Sequence, residues 1–161
     1  MKPKGVALRL FFTLWTVYAV HFATDFGREH FLVVSMVDRA TFALDPYFGM
    51  HPDIFEMPNG HAYHGANPGV SMLAAVPYAL LKPIVDRVVE RELAGRGDEQ
   101  SAVYDDPRPA RRAFYQTARE NGWDIRFGLV SIITAVLFMA PLTAWSAAVL
   151  YRTLAAAGLP G

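Results

Sequence analysis

The chain has no cysteine, which removes at once a disulfide framework, a thiolate metal centre and a cysteine nucleophile. It has no excess of either charge. Its 15 basic and 15 acidic residues cancel, so the electrostatic footprint of a nucleic-acid binder is missing and that class of partner is set aside. No internal repeat or low-complexity tract runs through its 161 residues, a length that suits one domain. The most informative absence is local. Residues 127–151 carry no charged side chain, whereas residues 82–126 hold 18 of the 30 formal charges, nine of each sign. So uneven a placement predicts an integral membrane protein.

Arg126 and Arg152 bracket 25 uncharged residues, Phe127 to Tyr151. A bilayer core about 30 Å thick needs roughly 20 apolar residues, so residues 126–152 are expected to form a transmembrane helix with some tilt. Pro141 sits mid-span, where it should kink the helix and free a carbonyl for a neighbouring helix to satisfy. A first span is expected over residues 6–24. Val6 to Ala23 is interrupted only by Arg9, which lies close enough to the start to snorkel to the interface. The run exceeds the 7–15-residue apolar region of a secretory signal peptide, which favours an uncleaved anchor. Lys2, Lys4 and Arg9 precede it while Asp25 and Glu29 follow, so residues 1–5 should be cytoplasmic.

The intervening residues 25–125 then form an extracytoplasmic loop. Its basic residues do not oppose this, because long loops translocate largely regardless of charge. Within it, residues 25–43 and 68–92 read as interfacial helices. Val70 to Leu81 is only 12 apolar residues, too short to cross, and the charged half that follows keeps a helical stripe at Ile84, Val85, Val88, Val89 and Leu93. Residues 93–125 are polar, with Gly95, Gly97, Pro107 and Pro109 as breakers. The expected class is mainly α, with two membrane helices, a large outer loop, and residues 153–161 as a cytoplasmic tail or a connection.

Three places carry candidate chemistry. Asp25, followed by Arg28, Glu29 and His30, admits two readings: a carboxylate at the membrane surface acting as general base or cation ligand, or the N-cap of the next helix. His51, Asp53, Glu56, His61 and His64 supply imidazole and carboxylate for a divalent cation. Pro52, Pro58, Gly60 and Gly65 nevertheless make the segment an irregular loop, in which spacing fixes no geometry, so ordinary loop hydrogen bonding is favoured over a metal site. Asn67-Pro68-Gly69 reads as a capped helix start whose free amides and dipole also suit a phosphate.

The run Thr24-Asp25-Phe26-Gly27-Arg28 through Val37-Asp38-Arg39-Ala40-Thr41-Phe42-Ala43-Leu44-Asp45-Pro46-Tyr47 belongs to a wider pattern. With Asn59-Gly60-His61-Ala62-Tyr63-His64 and the stretch from Asn67-Pro68-Gly69 to Leu80, it resembles the start of bacterial GT-C-type membrane glycosyltransferases, relatives of protein mannosyltransferases and aminoarabinose transferases. The resemblance covers roughly residues 1–155. It implies sugar transfer from a polyprenyl-phosphate donor to an acceptor outside the inner membrane, with Asp25 in the place of the catalytic acid. Arg28, Glu29, His61, Tyr63, His64, Asn67 and Gly69 would then line the donor and acceptor sites, and a divalent cation could balance the departing phosphate. Many relatives have Lys just before the Pro-Gly, where this chain has Ala66 and Asn67. Relatives also run to several hundred residues, so the chain is expected to be an amino-terminal portion. The competing expectation is a non-enzymatic membrane protein whose outer loop is structural or binds a partner.

Overall fold

A computed structural model describes residues 3–21, 28–96 and 109–158. The chain is mainly helical, at 76%, with five helices among the described residues. They are α1 (Pro3–Val20), α2 (Arg28–Arg39), α3 (Gly69–Gly95), α4 (Pro109–Glu120) and one long helix over Trp123–Ala156. The long helix consists of α5 (Trp123–Thr134), a π-helical segment (Ala135–Met139) and α6 (Ala140–Ala156). It is the one described helix long and apolar enough to cross a bilayer, and only 39% of its most apolar 18-residue window is buried. Short strands β1 (Ile54–Glu56) and β2 (Ala62–His64) pair antiparallel, with Phe55 opposite Tyr63. The contacts divide the chain into two units, residues 1–24 with 132–161 and residues 25–131, so the division falls inside the long helix.

In the first unit α1 packs on α6 through small residues. Ala140, Ala144 and Ala148, one turn apart, are buried, as is Ala7 of α1. Such a stripe lets two backbones approach closely. The π segment precedes Pro141. The Ala140 N–H bonds the Ala135 carbonyl, five residues back. Carried one residue further, that spacing would assign the Val136 carbonyl to residue 141, which as proline has no N–H. The Trp15 indole N–H supplies the missing bond at 2.9 Å.

The second unit has an aromatic core. Phe31 of α2 meets Tyr47 at 5.1 Å and, edge-on, Phe127 of α5 at 4.8 Å; Trp123 closes on Tyr47 at 5.2 Å. Burial pushes the Tyr47 hydroxyl up to about 12, with the nearby Asp38 carboxylate adding to the shift. α2 ends at Arg39 rather than at residue 43, for a local reason. Ala40 turns left-handed at φ 51°, and the Ser35 hydroxyl donates to the Ala43 carbonyl at 2.6 Å, folding the chain back. α3 begins one residue later and ends three later than expected from sequence, and it runs on through Pro77 and Pro83. Ser71, Ala74, Tyr78, Val85 and Val89 face the core, while Val70, Leu73, Val76, Leu80 and Ile84 form an outward apolar stripe. The expected breaker-rich segment contains α4, opened by Pro109 at a position where a missing N–H costs nothing.

Candidate functional site

Residues 51–65, expected to be irregular, form a hairpin. Asn59-Gly60 turns the chain, with Gly60 at φ 78°, and the Met57 N–H bonds the His61 carbonyl at 2.9 Å. Two bonds dock it on the 3₁₀ turn Asp45–Tyr47. The Leu44 N–H reaches the Ala62 carbonyl at 2.7 Å, and the Asp45 carboxylate accepts the Ala62 N–H at 2.7 Å. The other Asp45 oxygen lies 3.0 Å from His61 Nδ1. The Ala62 amide first, and His61 second, hold the Asp45 carboxyl below its usual 3.8.

Each expected site residue has a definite place except Asp25, which lies outside the described residues. Arg28 opens α2 and Glu29 follows in its first turn. The Glu29 carbonyl accepts the Ser71 hydroxyl at 3.1 Å, which fixes the start of α2 against the start of α3. Tyr63 and His64 lie on β2. The Tyr63 hydroxyl accepts the Asn59 amide at 3.3 Å, and His64 Nδ1 accepts the Ala66 N–H at 3.0 Å, which puts the proton of the neutral ring on Nε2. Asn67 Oδ1 caps the Gly69 N–H at 2.9 Å, and the Pro68 carbonyl already accepts the Met72 N–H. His61 is engaged elsewhere, its Nδ1 standing 3.0 Å from the Asp45 carboxylate.

A cavity of about 110 Å³ is lined by Leu32, Phe42, Tyr63, His64, Ala66 and Pro68. It joins residues of α2, of the chain after it, of β2 and of the approach to α3. Phe42, Tyr63 with His64, and Pro68 come from three stretches well separated in the sequence. The metal expectation fares differently. Among the described residues no group of three or more His, Asp or Glu side chains is placed to hold an ion. His51 Nδ1 stands 4.0 Å from the Asp53 carboxylate, and His61 belongs to Asp45.

The densest polar cluster was not foreseen from the sequence. Arg126 Nη1 lies 2.7 Å from Asp86 Oδ1, 2.9 Å from the Tyr78 hydroxyl and 3.1 Å from Asp38 Oδ2. Lys82 Nζ bonds Asp86 at 2.6 Å and stands 3.5 Å from Asp38, and the buried Tyr78 hydroxyl donates to Asp38 at 3.2 Å. Burial alone would raise the Asp86 carboxyl, but the Lys82 and Arg126 donors outweigh it and hold the group below 3.8. The Asp86 bond in turn raises Lys82 above 10.5, and desolvation raises the Tyr78 hydroxyl above its usual 10. Tyr78, Lys82 and Asp86 at four-residue spacing were legible as one helical face; Asp38 and Arg126 join them only through the fold. Two carboxylates balanced by two cations lock α2, α3 and α5 together, and nothing in that balance leaves a base poised for proton transfer.

Comparison of the chain with models of known protein families, with curated proteins and with solved structures finds no match.

Proposed function

We propose that the chain is the amino-terminal portion of a bacterial inner-membrane glycosyltransferase of GT-C type, which moves a sugar from a polyprenyl-phosphate donor to an extracytoplasmic acceptor. The observation that carries this reading is the convergence of three separated stretches, represented by Phe42, by Tyr63 and His64, and by Pro68, on one cavity. The stretch containing Asp25 leads directly into the helix whose first turn is tied to α3. The membrane placement draws support from the mostly exposed apolar helix, taken as the second span, with α1 as the first. It draws further support from the outward apolar stripe of α3, which suits a helix lying in the outer interface. The topology has the amino terminus in the cytoplasm and residues 25–125 outside.

In this mechanism Asp25 takes the proton of the acceptor hydroxyl. The acceptor oxygen bonds the anomeric carbon as the bond to phosphate breaks, and the polyprenyl phosphate leaves with the electron pair. Tyr63 and His64 offer a hydroxyl and an imidazole to sugar or phosphate, and the capped start of α3 offers backbone amides. A second reading, a non-enzymatic membrane protein with a structural or partner-binding loop, is favoured by one fact. A cavity of about 110 Å³ is smaller than the roughly 300–1,000 Å³ of most small-molecule sites.

The test is sugar transfer from labelled polyprenyl-phosphate donor in membranes from cells expressing the native reading frame. Asp25→Asn is expected to lower transfer by about 10²–10⁴-fold while leaving the amount of protein in the membrane fraction unchanged. Normal transfer by the variant would reduce Asp25 to a helix cap. No transfer by the unaltered protein would favour the second reading.

A further inference from the structure

Between α1 and α6, inside the first unit, lies a cleft of about 410 Å³. Leu8 and Phe11 of α1 and Trp145 and Val149 of α6 form its apolar walls, and Lys4 and Arg152 line it as well. The helices run antiparallel, so Lys4 and Arg152 occur at one level, Leu8 and Val149 one turn further, and Phe11 and Trp145 beyond them. The cleft therefore has a cationic end and an apolar trough about 10 Å long, from residue 4 to residue 11. Residues 1–24 and 132–161 contain Lys2, Lys4, Arg9 and Arg152 and no Asp or Glu at all.

We propose that this cleft binds an anionic phospholipid of the cytoplasmic leaflet. The headgroup phosphate sits between Lys4 and Arg152, and one acyl chain lies along Leu8, Phe11, Trp145 and Val149. A basic pocket between helices at the cytoplasmic face is a physically sound seat for an anionic headgroup, because the leaflet supplies negative charge at that depth. The walls below it are apolar, and Trp145, 60% exposed, provides a broad apolar face. A second copy of the chain is the poorer occupant. A two-fold contact here would bring two sets of the same cations together with no carboxylate between them. The proposal rests on the membrane placement given above and is independent of the transferase chemistry.

The test is quenching of tryptophan fluorescence by lipids brominated on the acyl chain, with the whole chain reconstituted in bilayers. Brominated phosphatidylglycerol is expected to quench at about tenfold lower mole fraction than brominated phosphatidylcholine of the same chain length. Lys4→Gln/Arg152→Gln should abolish that preference while quenching by phosphatidylcholine stays as it was, which shows the variant still inserted. Trp145→Phe should remove the selective component and leave the remaining quenching. Equal quenching of the unaltered chain by the two lipids would overturn the proposal. So would a preference that survives loss of both cations, or one that vanishes as the protein is concentrated and self-associates. A chain quenched by neither lipid would overturn the membrane placement, and the lipid site with it.

Discussion

The two units of this molecule differ in the size of the side chains they bury most deeply. In the helix pair of residues 1–24 and 132–161, the described interior includes Ala7, Ala140, Ala144 and Ala148, while Leu8, Phe12, Leu142, Trp145 and Leu150 point outward. Residues 25–131 leave an apolar stripe outside on α3 but also bury large groups: Phe31, Leu44, Tyr47, Tyr78 and Phe127 are inside, with a network of four charges and a tyrosine beside them. Water rewards the second arrangement, because burying a large apolar side chain removes the most surface from solvent. It gives little reason for the first. With an apolar solvent outside, large residues gain nothing by turning inward, and close backbone approach over small residues becomes the main source of attraction. The contrast supports the proposed placement of the helix pair in lipid.

The largest effect should come from testing this contrast directly. Phe31→Ala is expected to cost the middle unit about 3–5 kcal/mol, since Phe31 is 1% exposed and touches two aromatic rings. Leu150→Ala, at a site 59% exposed, should change stability by less than about 0.5 kcal/mol. Chemical denaturation in detergent micelles, followed by far-ultraviolet circular dichroism, measures both. Equal losses would mean that Leu150 packs against protein, and the inside-out reading of the helix pair would fail.

A somewhat smaller loss, about 2–4 kcal/mol, is expected for Arg126→Met, which leaves Asp38 and Asp86 facing each other with only Lys82 between them. The same network sets the pH response. Asp86 is held below 3.8, so its contribution is present above that value and is lost as pH falls through the lowered one. Lys82 is held above 10.5 and Tyr47, in the neighbouring aromatic core, rises to about 12, so their contributions are whole below their ordinary values and fade as pH climbs past them. The middle unit should therefore show a stability plateau with an acid and an alkaline limb, and Asp86→Asn should flatten the acid one. An acid limb unchanged by that substitution would place its origin elsewhere.

What the sequence made legible was whatever depends on short spacing. The apolar segment predicted a helix over 126–152, and the helix extends to Trp123 and Ala156, because helical backbone continues into charged sequence that hydropathy alone reads as a boundary. The cap at Asn67 stands just before α3, and the four-residue steps Tyr78, Lys82 and Asp86 lie within it. The hairpin was missed although Asn59-Gly60 signals a turn, since strands of three residues are too short to show alternation. α4 was hidden by counting Pro109 as a breaker rather than as a first helical residue. Asp38 and Arg126, 88 residues apart, could not be paired by any local rule. Nor could the cavity, which needs four segments at once.

The finest test of the contrast concerns one hydrogen bond. In water a backbone carbonyl freed by proline can turn to solvent; inside a helix pair surrounded by lipid it needs a protein donor. With the helix pair placed in lipid as proposed, the Trp15 indole, 2.9 Å from the Val136 carbonyl, would fill that need. Trp15→Phe should therefore cost about 0.5–1.5 kcal/mol beyond what its lost packing explains. Pro141→Ala restores an N–H at position 141 and lets the helix serve Val136 itself. In that background Trp15→Phe should cost less, giving a coupling of about 0.5–1 kcal/mol in a double-mutant cycle. The sign is informative. If the two changes simply add, water already reaches Val136 and the pair is not sealed. A positive coupling in bilayers that vanishes in a loosely packed detergent would tie the indole bond to the exclusion of water.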